Sequence, residues 1–114
     1  MDCSAEEATF LLRKWHQDGS EMSCILLASG TDVSRSPFVM YGKCRLDEAS
    51  DTLVVVFSKQ TSLRVPLRSI LKFEFGARID VQSISPELLS YEPWLSIHLP
   101  GGMVLMLGER KSAA

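Results

Sequence analysis

The chain has 114 residues, 46% hydrophobic and 23% charged, with a net charge of −2. That is enough chain for one domain with one core, and no tract is polar or repetitive enough to read as disordered. Apolar runs such as residues 25–28 and 53–57 are far too short to cross a bilayer. A pI near 5.6 argues against a dedicated duplex-DNA binder, whose domain pI exceeds about 9.

The first residues carry no basic leader, and the cysteines, Cys3, Cys24 and Cys44, match neither a disulfide framework nor a zinc knuckle. The expected compartment is the cytoplasm, with reduced thiols and with Cys24 and Cys44 buried on strands. The charge is unevenly spread. Residues 1–34 hold six acids and two bases, residues 35–78 four and eight, and residues 79–114 four and two, so the middle is locally basic.

In chain order, the first predicted element is a helix over about residues 4–18. Ser4 and Glu7 stand at the two positions of a capping box, and Ala8, Leu11, Leu12 and Trp15 recur at helical spacing as one apolar stripe. Lys14 and His16 suit the negative end of the dipole, and Gly19 suits the residue just past the helix. From Met22 the period becomes strand-like. Residues 23–28 read as a first strand and residues 29–32 as a break.

Residues 38–46 alternate: Phe38, Met40, Cys44 and Leu46 share one face with Gly42, and Val39, Tyr41, Lys43 and Arg45 the other. An acidic turn over 47–51 leads to a strand at 52–57 that is apolar on both faces. Residues 62–67 and 71–75 alternate as well, and Pro66, which cannot donate a ladder hydrogen bond, places its strand at an edge or bulge. Gly76 marks a turn, and Ile79 with Val81 a short strand. Ser85-Pro86-Glu87 has the form of a helix start, giving one or two turns over 87–91. Residues 94–99 and 103–107 flank Pro100-Gly101-Gly102 as a β-hairpin.

The pattern predicts a single α+β domain over residues 1–114. The helix packs on a mainly antiparallel sheet or small barrel of six or seven strands, with a loose tail at 111–114. No long helix separates successive strands as a parallel sheet would require.

Nucleophilic catalysis needs a base beside a nucleophile, and the two histidines, His16 and His98, sit in no recognisable motif. Asp47, Glu48 and Asp51 lack calcium-loop spacing, and Gly101-Gly102 is a hairpin turn rather than a phosphate loop. The expectation is therefore a non-enzyme with no metal and no cofactor. Two surfaces remain. Tyr41, Lys43, Arg45, Arg64, Arg68 and Lys72 form a basic patch with a stacking surface if their strands are neighbours, suited to RNA or another phosphorylated ligand. Leu88, Leu89, Tyr91 and Trp94, with Val104 and Met106 on the second face of the last hairpin, form an apolar surface suited to a protein partner or a second copy.

The run of helix, strand, long strand containing Gly42, acidic turn, buried strand and then residues 63–70 resembles the Sm-like small-barrel arrangement over about residues 5–75. That resemblance, shared with SH3-like barrels, implies a barrel architecture. Asp47 and Arg68 match its RNA-site positions, whereas Asp51 stands where asparagine is expected and Ser69 where glycine is. Residues 64–68 also look like the RxxxR half of the PilZ cyclic-dinucleotide motif, without its partner half. The leading expectation is a non-catalytic module acting through protein contacts, as a homo-oligomer. The alternative is binding of RNA, a nucleotide or another phosphorylated ligand on the basic face.

Overall fold

The structure, a computed structural model, describes residues 2–27, 38–78 and 80–111. Helix α1 (Ala5–Asp18) begins where its sequence signals place it. The Ser4 side chain accepts from the Glu7 amide at 3.1 Å, and the Glu7 carboxylate accepts from the Ser4 amide at 3.2 Å. Two amides that the first turn leaves unpaired are thereby satisfied. Gly19 ends the helix in the left-handed region, φ 62°, and its amide donates to His16.

Eight strands follow or flank the helix: β1 (Asp2–Cys3), β2 (Glu21–Leu27), β3 (Phe38–Asp47), β4 (Thr52–Val56), β5 (Ser62–Pro66), β6 (Lys72–Phe75), β7 (Tyr91–His98) and β8 (Val104–Arg110). They make one antiparallel sheet in the order β1-β6-β7-β8-β2-β3-β4-β5. The α+β class and the single helix agree with the sequence reading; the barrel and the six or seven strands do not. The sheet is open, with β1 and β5 as its edges. The additional strand is Asp2–Cys3, whose two residues are too few to show a period. Val81 lies in a 3-10 turn, Val81–Ser83, because the Asp80 side chain accepts from the Gln82 amide and turns the backbone there. The expectations for residues 28–32, Ile79 and the tail beyond Lys111 lie outside the described residues.

Pro66 closes the edge strand β5, where its missing amide costs no ladder bond. The next residues lead through a 3-10 turn, Leu67–Ser69, to β6, which pairs with β1 and β7 near the other end of the strand order. The Leu67 amide donates to the Asp51 carbonyl, and the Leu71 amide to that of His98.

One face of the sheet is covered by α1 and part of the other by a later segment of the chain. On one side Ala8, Leu12 and Trp15 of α1 pack with Met22, Cys24, Cys44, Leu53, Val55, Leu95, Ile97, Leu105 and Leu107. Trp15 and Leu12 are fully buried, each contributing about 1.5–3 kcal/mol on that account. On the other side the segment over residues 80–90 lies across β2, β8 and β7. There Leu88 joins Ile25, Trp94 and Met106, with Val81 and Ile84 at the margin. This is the second cover that the two-sided apolar hairpin of β7 and β8 requires.

Candidate functional site

The covering segment packs on the β2-β8-β7 half of the second face, where Val39 at the start of β3 borders its cluster. The other half carries the outward residues of β3, β4 and β5, and their register is set by short turns. Lys43 pairs with Val56 and Val56 with Ser62; Arg45 pairs with Val54 and Val54 with Arg64. Lys43 and Arg45 are therefore about 7 Å apart along β3, and Arg45 and Arg64 about 10 Å apart across two strand spacings. All three are exposed, whereas Val54 between the two arginines is buried.

These cations differ from the other cations on strands, Lys72 and Arg110, in what they touch. Arg13 pairs with Glu48 at 2.8 Å, Arg110 with Glu21 at 2.6 Å, Lys111 with Glu92 at 3.3 Å, and Lys72 and Arg78 both with Glu74. Lys14, Lys43, Arg45, Lys59, Arg64 and Arg68 form no salt bridge among the described residues. Glu21 lies directly opposite Lys43 in the β2-β3 pair, yet its carboxylate is taken by Arg110. Asp47 is turned back into its own turn. Hydrogen bonds from Ser50 first, and also from Ala49, hold its carboxyl below the usual range, with the field of Arg45 adding to them.

Beside the cations lies an aromatic pair. Tyr41, 44% exposed, sits two residues before Lys43, and its ring centroid is 5.9 Å from that of Tyr91 with the planes 36° apart. Tyr91 opens β7 opposite Arg110, just before the cis Glu92–Pro93 bond and the register shift that leads to Trp94. Burial pushes its phenol up, with Tyr41 adding to the effect. The two rings, together with Glu21, Lys43, Val56 and Ser58, line an open depression of about 400 Å³.

Of the six residues expected to form the basic patch, Tyr41, Lys43, Arg45 and Arg64 share this surface. Arg68 is exposed on the turn after β5. Lys72 is elsewhere: it lies on β6, four strand positions from β3, and pairs with Glu74 at 3.8 Å. Of the apolar set, Leu88, Trp94 and Met106 are buried in the chain's own second core, Tyr91 and Val104 are partly buried against it, and Leu89 is 50% exposed. Burial takes Leu88, Trp94 and Met106 off any docking surface. The part of Tyr91 beside the basic residues was not legible in sequence, because β3 and β7 are separated by two strands that are distant in the chain.

The histidines have other neighbours. His16 Nδ1 accepts from the Leu46 amide at 3.0 Å, beyond the point where β2 stops pairing with β3. His98 Nε2 lies 2.5 Å from Glu74 Oε1, a pair hydrogen-bonded to no thiol or hydroxyl among the described residues. Among the described residues no three of His, Cys, Asp and Glu converge as a metal site would need, and no helix is long and apolar enough to cross a membrane. No family model, curated protein or solved structure matches this chain.

Proposed function

We propose that the chain is a non-catalytic binding module that holds a phosphate-bearing ligand on the β3-β4-β5 half of its second sheet face. One observation carries the reading: Lys43 and Arg45 on β3, and Arg64 in register with Arg45 across β4, are exposed and without a carboxylate partner among the described residues, while the other strand cations are paired. Like charges gathered on a rigid sheet repel, and a polyanion relieves that repulsion while releasing its own counterions. Tyr41 and the adjoining depression give the same ligand an apolar contact.

The test is calorimetric titration at low salt with inorganic tripolyphosphate and a short oligonucleotide. Salt-sensitive binding is expected, weakened at least about tenfold by Arg45→Ala with Arg64→Ala, since each lost charge-assisted contact is worth about 1.5–3 kcal/mol. Absence of binding to both probes would remove the reading.

A second reading, contact with another protein or a second copy, is supported by Phe10 and Leu71, 70% and 69% exposed. Phe10 borders an apolar groove with Leu11 and Phe75, at the junction of α1 and β6. Light scattering at high concentration tests it: a strict monomer would count against self-association, and a dimer lost in Phe10→Glu would support it.

A further inference from the structure

We infer that the ligand of this face is a single-stranded nucleic acid, with a base seated on the Tyr41–Tyr91 pair and consecutive phosphates over Lys43, Arg45 and Arg64. The inference rests on the phosphate-binding reading above and names its ligand class. Four features point to it. The aromatic pair sits in a depression, not on a ridge, and a base enters a depression only when it is free of a helical stack. Tyr41 presents an exposed ring to such a base, and Tyr91 walls the depression beside it.

The spacing selects a chain over a single nucleotide. From Tyr41 to Arg45 the strand runs about 14 Å, in two steps of about 7 Å, with Lys43 at the midpoint. A base over Tyr41 would leave a mononucleotide's phosphate near Lys43 and nothing at Arg45 or Arg64. A chain of two or three nucleotides occupies all of them. Finally, two acidic residues beside the track are engaged elsewhere, Glu21 by Arg110 and Asp47 by its own turn. The basic track is thus continuous despite the net charge of −2.

The experiment is fluorescence anisotropy on the full chain, with a labelled single strand of about eight nucleotides, within the usual site sizes of single-strand binders. RNA and DNA versions are run separately. Unlabelled competitors are a duplex of the same sequence, a mononucleotide and tripolyphosphate. The single strand is expected to bind most tightly per phosphate. Tyr41→Ala should weaken it about tenfold and Tyr41→Phe should restore it, since stacking needs the ring and not the hydroxyl. Arg64→Ala should weaken all sequences alike and reduce the salt slope by about 0.7. Circular dichroism checks that the variants fold. Equal binding by Tyr41→Ala and wild type, or competition by tripolyphosphate as effective per phosphate as by the single strand, would overturn the nucleic-acid inference and leave the phosphate reading standing. Failure of every phosphate-bearing probe would overturn both.

Discussion

The indole of Trp94 lies over Gly108, its cross-strand partner in β7-β8, so closely that a Cβ on Gly108 would stand 2.7–2.8 Å from three ring atoms. The ring has little room to retreat, because Ile25, Leu88 and Met106 pack in the same cluster. Gly108→Ala is expected to cost about 1–3 kcal/mol through overpacking. The cost should shrink in a Trp94→Leu background, which removes the obstructing ring. Urea denaturation of the two singles and the double measures this. A cost of Gly108→Ala that is the same in both backgrounds would show that the indole is not what it meets.

Two buried serines on that same side of the sheet should respond oppositely to alanine. Ser96 Oγ donates to the Gly76 carbonyl at 2.7 Å, and its loss leaves that acceptor short of a partner. Ser23, fully buried between Tyr41 and Gly108 in register, has a hydroxyl with no hydrogen-bond partner among the described residues. Ser96→Ala should therefore destabilise by about 1 kcal/mol, and Ser23→Ala should be neutral or stabilising. Thermal melts at one pH distinguish them. Equal losses in both would mean that the Ser23 hydroxyl is satisfied in solution.

What was legible in the sequence was local, because capping and alternation act over three to seven residues. The Ser4–Glu7 box, the α1 stripe, Pro66 at an edge and the hairpin around Pro100-Gly101-Gly102 all lie within that range. Lys43, Arg45 and Arg64 could be placed on one face for the same reason, since β3, β4 and β5 are joined by short turns. What escaped depends on distant pairing: β2 between β8 and β3, β1 against β6, and Lys72 on a strand that pairs with β1 and β7 instead of β5. The apolar excess at Leu88, Trp94 and Met106 carried no mark of whether its cover lay in the same chain. The 80–90 segment supplies it by folding back across β2 and β8.

The three thiols should be protected to different degrees. Burial pushes Cys24 and Cys44 up to about 12, with Cys24 adding to the shift at Cys44. At pH 8 the thiolate fraction of either is then on the order of one in ten thousand, and the thiolate is the reacting species. Cys3, at the end of the sheet's outermost strand, is raised by burial and by Glu7 without such enclosure. Native protein treated with a thiol reagent at pH 8 should label at Cys3 first, and at Cys24 and Cys44 only after guanidinium unfolding. Mass mapping showing early label on Cys44 would contradict the packing of α1 on β3.

Glu74 should set part of the acid limb of stability. Its carboxylate meets His98 at 2.5 Å, Arg78 at 3.6 Å and Lys72 at 3.8 Å. The hydrogen bond from His98, and then the charges of Lys72, His98 and Arg78, hold it below the ordinary glutamate value of 4.5 against the opposing effect of burial. A carboxyl whose folded value is depressed binds its proton more readily in the unfolded chain. Its contribution is therefore complete above the ordinary value and is lost as pH falls through the folded one. Melting temperatures taken from about pH 6 down to about pH 3 should fall more steeply for wild type than for Glu74→Gln, whose amide cannot titrate. The neutral variant should be less stable at the top of that range, and the two curves should converge at the bottom. Parallel curves would show that the carboxylate gains nothing from its three neighbours in the folded chain.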